Sequence, residues 1–332
     1  MTDLTSAWTG SHAAPQPGRL LLGLYPARYR AAHGEDIAAV FADATEGQPR
    51  RAVLRERRDL ATHALRLRLR IGPTDPAGRV LAGAAPVALA LAAGFALYFL
   101  LPELREMVHR LRYPFPNLGL RYAIVSAVFL VTTTAPWLLA LGLALLGRWR
   151  AARITVVVST LLSIGVSSVF EPQSVWVLGE MAGTALVGAL MLLAPAGLVD
   201  VTQRGRWEMT GLALGVGLPM IALSQYGAGL FVGTSTSVFA LLPLWLSVVT
   251  AVVLAARLSG RRPDRLLALG VGLGVVPWLL RFVVGVFAES DYQRMALGYL
   301  GASLASLGAA VALAGVVHLV RRGRATEPSD PA

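Results

Sequence analysis

Two ionisable residues stand inside apolar runs where charge is costly. Glu180 lies about five residues in from the outer end of the run Val175 to Val199, and Arg281 about seven residues in from the outer end of Leu266 to Ala288. At 1.5 Å per helical residue these depths are roughly 8 and 10 Å, so the two side chains meet if their helices are neighbours. A charge within a membrane span is normally paired or turned toward a cavity. Three readings follow: an ion pair that fixes helix packing, a polar pocket open to the outside, or two side chains that snorkel separately to the headgroups, which arginine reaches easily from this depth.

Other reactive chemistry is sparse. The chain has no Cys, which excludes disulfides, thiolate metal sites and Cys nucleophiles. It has no Lys either, all 30 basic residues being Arg, so a Walker A loop and a lysine Schiff base are both excluded. Any coupling to ATP would require a separate ATPase subunit. His12, His33, His63, His109 and His318 form no metal-ligand spacing, and Glu103 with Glu106 share one helical face without a nucleophile. The residues therefore point away from an enzyme, and no cofactor or metal motif is present. Gly270, Gly272 and Gly274 lack the strand-to-helix setting of a dinucleotide site. Gly211 with Gly215, and Gly270 with Gly274, instead have the GxxxG spacing of close helix contacts.

The elements that must position Glu180 and Arg281 are set by composition. Of 332 residues, 55% are hydrophobic and 15% charged, too apolar for an ordinary soluble domain of this size. The expected fold is all-α: a transmembrane helical bundle over residues 80–320, preceded by a small helical module at 19–79 and flanked by disordered tails at 1–18 and 321–332. Hydropathy draws eight spans: Val80 to Leu101, Tyr122 to Leu146, Ile154 to Phe170, Val175 to Val199, Trp207 to Tyr226, Ser235 to Ala256, Leu266 to Ala288 and Met295 to Val320. With the amino terminus inside, the inner loops hold twelve arginines and the outer loops five, Arg105, Arg110, Arg112, Arg121 and Arg294. That asymmetry fits eight spans with both termini cytoplasmic. The longest outer loop, Pro102 to Arg121, carries Leu104, Met107, Val108 and Leu111 at helical spacing, the pattern of an amphipathic helix on the outer membrane face. The formal charge of +11 is spread between apolar segments and not gathered on one surface, which argues against nucleic acid as a partner. The first apolar run, Leu20 to Tyr25, is too short for a signal peptide, so the amino terminus is expected to stay in the cytoplasm.

Ahead of the spans lies YPARYRAAHGEDIAAVF, Tyr25 to Phe41. Pro26 suits a first helical turn, Gly34 a helix end, and Glu35 with Asp36 the start of a second helix, which together read as a small hairpin. A further helix from about Arg51 to Ile71 is rich in arginine, with Leu54, Leu60, Ala61, Ala64 and Leu65 at helical spacing; it suits either anionic headgroups or a solvated basic face. Tyr25, Pro26, Arg28, Tyr29, Arg30, His33, Gly34, Glu35 and Phe41 resemble the permease prefix domain. That short cytoplasmic module precedes the membrane part of some bacterial ABC-type permeases and of many uncharacterised actinobacterial integral membrane proteins. The resemblance covers roughly residues 19 to 71. It implies a multi-pass protein of the bacterial cytoplasmic membrane, permease-like, with a transport partner. The large extracytoplasmic domain usual after the first span of those permeases is missing here, which makes the second group the closer likeness. Two functions follow as expectations: a transport-associated membrane subunit without its own ATPase, or a signalling scaffold whose module binds a soluble regulator.

Overall fold

The computed structural model describes residues 19–72, 74–112, 124, 127–128, 130–170, 175–199, 201–226, 236–258 and 264–287, with single positions 301, 304, 308, 312 and 316. All regular structure among them is helical. The chain divides into two compact units, Met1–Asp75 and Pro76–Ala332.

In the first unit, α1 (Arg19–Gly23), α2 (Ala27–Thr45) and α3 (Arg50–Leu69) pack against one another. Pro26 precedes α2 with φ −54°, already fixed for a helical start. The expected break at Gly34 does not occur: α2 runs unbroken through it, and Glu35 and Asp36 lie in the helix interior. A glycine inside a helix costs only about 1 kcal/mol, too little to end one that gains a buried Phe41 and Thr45 beyond it. The chain reverses instead at Gly47, where φ is +65°, and Pro49 precedes α3. The hairpin is thus α2 and α3. Its core is Tyr25, Phe41, Ala64 and Ile71, while Leu54 and Leu65 face outward. Tyr25 stacks on Tyr29 at 5.7 Å, meets the His63 ring edge-on at 5.8 Å and donates a long hydrogen bond to the Leu60 carbonyl (3.4 Å). Burial, helped by the neighbouring Tyr29, raises the Tyr25 phenol above its ordinary value, so it keeps the donated proton. Of the residues that carry the prefix resemblance, Tyr25 and Phe41 are core, whereas Arg28, Arg30, His33 and Glu35 are exposed.

The second unit contains α4 (Pro76–Arg112), a π-helical turn (Leu130–Thr134), α5 (Ala135–Leu145), α6 (Trp149–Phe170), α7 (Val175–Leu193), α8 (Gln203–Tyr226), α9 (Thr236–Leu258) and α10 (Arg265–Phe287). Helix α4 is the hub, packed against α5, α7, α8, α10 and the π turn. Alanine and glycine make this possible, because backbones approach closely only where side chains are small. A Cβ at Gly270 would fall 2.9 Å from Gly83 Cα, and one at Gly274 2.6 Å from the Ala84 carbonyl oxygen. On the other side of α4, a Cβ at Gly217 would fall 2.9 Å from the Gly94 carbonyl oxygen. Gly211 and Gly215, which share the GxxxG spacing, have nothing within 4 Å of that position. Helix α8 turns Met209, Ala213, Val216, Gly217 and Met220 inward, and that face lies on the far side of the helix from Gly211 and Gly215.

The segment expected to form a separate interfacial helix continues α4 without interruption as far as Arg112. At 37 residues the helix is about 55 Å long, well beyond a bilayer core. Two helices among the described residues are long and apolar enough to cross a membrane, α4 over Pro76–Leu101 and α6 over Trp149–Ser168, and four shorter apolar stretches accompany them. These two differ in burial: 78% of the α4 window is buried, against 28% of the α6 window. Helix α6 therefore turns Ile154, Val158 and Leu161 outward, as α9 does Val252 and α10 Leu269.

Candidate functional site

Five helices and the π turn converge on a cavity of about 170 Å³. Helix α4 supplies Ala92, Phe95, Ala96 and Phe99; the π turn Thr133 and Thr134; α5 Trp137; α6 Ser163; α7 Glu180 and Thr184; and α10 Trp278. The floor is aromatic, with Phe95 stacked on Trp278 at 4.6 Å. The hydroxyls are buried, Thr134 at 3% exposure, Ser163 at 5% and Thr184 at 8%. Glu180 stands half-buried on the wall, and the Trp278 indole N–H is buried without an acceptor among the described residues.

Local sequence explains how two consecutive threonines reach this space. Pro136 has no N–H and cannot donate to the Thr132 carbonyl one turn earlier, so the regular ladder is broken just before α5. Thr132 Oγ1 bonds back to the Val128 carbonyl (2.7 Å), a pattern that bends helices. The chain responds with the π turn, a geometry that recurs at functional sites. On α7, Glu180 is five and Thr184 nine residues from the helix start, depths of roughly 8 and 14 Å along the axis. Ser163, about 10 Å in from the end of α6, meets them there.

Helices α7 and α10, which carry Glu180 and Arg281, pack together. The Arg281 side chain lies outside the described residues. Glu180 was legible as a charge within an apolar run; its cavity partners were not, because they are hydroxyl and aromatic residues that come from five further elements as well as from α7 and form no local pattern. The run Thr132, Thr133, Thr134 before Pro136 was the one available signal.

Charge gathers at the opposite end of α7 from Glu180. Arg79 pairs with Asp264, Glu208 with both Arg204 and Arg257, and Arg153 donates to the Leu192 carbonyl. Asp264 also caps α10, accepting from the amides of Leu266 (3.0 Å) and Leu267 (3.3 Å). Burial pushes its carboxyl up, but the Leu267 amide, the Arg79 guanidinium and the Leu266 amide outweigh it and hold the group below its ordinary value. A second cavity here, about 70 Å³ between Gly83, Glu208, Met209 and Arg257, has room for water. Among the described residues no group of acidic or imidazole side chains is placed to hold a metal ion.

Comparison with protein-family models, curated proteins and solved structures finds no match. The likeness to the permease prefix domain therefore rests on the residues of Tyr25 to Phe41 alone.

Proposed function

We propose that the chain is a multi-pass protein of a bacterial cytoplasmic membrane, with eight spans and both termini cytoplasmic, that it is a transport-associated subunit without its own ATPase, and that the Glu180 cavity is its solute site. The observation that carries the reading is the cavity: a carboxylate about 8 Å and buried hydroxyls about 10–14 Å along their helices, inside a bundle whose outer faces are apolar. Water would make such outer faces expensive, since each exposed Leu, Ile or Val forgoes roughly 1.5–3 kcal/mol of burial. Lipid removes that cost. A carboxylate at that depth is costly on a lipid-facing surface and suits a solute path. The charged end, with Arg79, Arg153, Arg204 and Arg257, agrees with the arginine-rich loops being cytoplasmic.

The exposed arginines of α2 and α3 favour a second reading, a scaffold whose cytoplasmic module binds a soluble regulator. Purification of the tagged chain from its native host in mild detergent, followed by mass spectrometry, separates the two. Stoichiometric recovery of a P-loop ATPase is expected for the transport subunit; recovery of a soluble regulator alone would favour the scaffold.

A further inference from the structure

We infer that the outer face of α3 docks on an anionic lipid surface, with Arg51, Arg55 and Arg58 taking the headgroup phosphates and Leu54, Leu65 and Leu69 entering the acyl boundary beside them. Helical spacing puts these six residues on one side of α3, opposite the buried Ala64. The three arginines and the three leucines are all exposed. No acidic side chain stands among them: Glu56 lies on the Ala64 side, and Asp59, at the edge, is 3.9 Å from Arg58 in a pair open to water.

Both halves of the pattern are needed to name the partner. Phosphate alone, as on a nucleic acid, would pair with the arginines and leave the leucines in water. A purely apolar partner would leave three guanidiniums without anions. A bilayer of anionic lipid meets both, because long arginine stems reach up to the phosphates while the leucines sit below. Each arginine near such a surface gains roughly fivefold in binding. Charge also orients the module. Helix α3 holds seven arginines against Glu56 and Asp59, whereas α2 has Arg28 and Arg30 in its first turn and Glu35, Asp36 and Asp43 beyond it. An anionic surface therefore attracts α3 and repels the body of α2. Proximity comes from the chain: residues 70–75 alone join α3 to α4, and six residues reach at most about 20 Å. With α4 crossing the membrane from Pro76, that link keeps headgroups within reach of α3. This last step rests on the membrane-spanning reading above; the face itself does not.

The test uses the full-length protein in lipid nanodiscs. The natural chain has no Cys, so a single spin label is placed at Leu65→Cys or, as a reference, at Ala39→Cys on the exposed side of α2. Collision with oxygen and with a neutral nickel chelate is measured in phosphatidylcholine with and without phosphatidylglycerol. With phosphatidylglycerol the Leu65 label should become several-fold less accessible to nickel and more accessible to oxygen, while the Ala39 label stays in water. Arg51→Gln, Arg55→Gln and Arg58→Gln together should weaken docking on the order of a hundredfold and return the Leu65 label to water. Salt at about 1 M, which screens charges beyond about 3 Å, should do the same with the arginines intact and keeps the test decisive if the triple variant does not fold. A Leu65 label equally wet or equally shielded in the two lipids, or shielding that survives substitution or salt, overturns the inference. Shielding from nickel and oxygen together would put protein on this face, as a bound regulator would, and overturns it too. Labels at Leu161 on α6 and Val252 on α9, both outward-facing, read the spanning bundle in the same nanodiscs, so its failure is seen apart from a failure at Leu65.

Discussion

The seam between α4 and α10 offers a clean test of how this bundle is packed. A Cβ added at Gly270 would lie 2.9 Å from both Gly83 Cα and Ala84 N, and closer still to the Val80 carbonyl oxygen. All three are backbone atoms of α4, so no side-chain rotation relieves the overlap. Carbon contacts rest at about 3.5–4.0 Å, and the two helices must therefore separate by roughly 0.6–1 Å. Overpacking of this kind costs about 1–3 kcal/mol. Alanine also brings a gain of up to about 1 kcal/mol in helix propensity, and a control is needed to remove it. Gly211→Ala is that control: it lies within a helix and carries the same gain, yet has nothing within 4 Å of the new methyl. The difference between the two variants isolates the packing cost. For chains of this size 1 kcal/mol corresponds to about 2–4 °C, so Gly270→Ala should melt roughly 2–12 °C below Gly211→Ala. Detergent-solubilised protein followed by fluorescence-detected size exclusion after a temperature ramp reads this directly. A Gly270→Ala variant that melts at or above Gly211→Ala would refute the close approach of α4 and α10.

Three further outcomes follow from other parts of the molecule. Gly34→Ala should raise the stability of the amino-terminal module by about 0.5–1 kcal/mol, since Gly34 is inside α2 and the new methyl makes only an ordinary 3.5 Å contact with Arg30; protection of residues 19–75 from limited proteolysis reports it, and a loss of protection would mean that the helix does end there. Phe41→Ala should expose the same region to protease, the loss of a buried aromatic costing roughly 3–5 kcal/mol in a two-helix core. Asp264→Asn keeps a capping oxygen on α10 but breaks the charged pair with Arg79. Because the folded-state value of Asp264 is depressed, its contribution is present above the ordinary carboxylate range and is lost as pH falls through the lower folded value. Melting from pH 7 to pH 3 should therefore fall more steeply in the wild type than in the variant, and parallel curves would contradict the depressed carboxyl.

The helical class and the placement of most helices could be read from apolar runs of about 20 residues, since little but a helix satisfies its own backbone in such a stretch. Facing could not. Gly211 with Gly215 and Gly270 with Gly274 have identical spacing, yet only the second pair meets α4, because the apolar weight of Met209, Val216 and Met220 rotates α8 away. Gly34 carried a plausible helix-end signal that a mid-helix position overrode at small cost. The pairing of Arg79 with Asp264 had no local signal, since the two residues lie 185 positions apart. The cavity was legible only as Glu180. Its hydroxyl and aromatic walls come from residues as far apart as Phe95 and Trp278, and no local pattern announces their convergence.

The proposed membrane-spanning bundle requires that its outer faces meet lipid. The natural chain has no Cys, so single cysteines can be placed at Leu161 on α6 and Val252 on α9, spin-labelled, and measured for collision with oxygen and with a water-soluble nickel chelate in reconstituted vesicles. Both sites should be accessible to oxygen and shielded from nickel. Strong nickel accessibility at both would place these faces in water and contradict the membrane-spanning bundle.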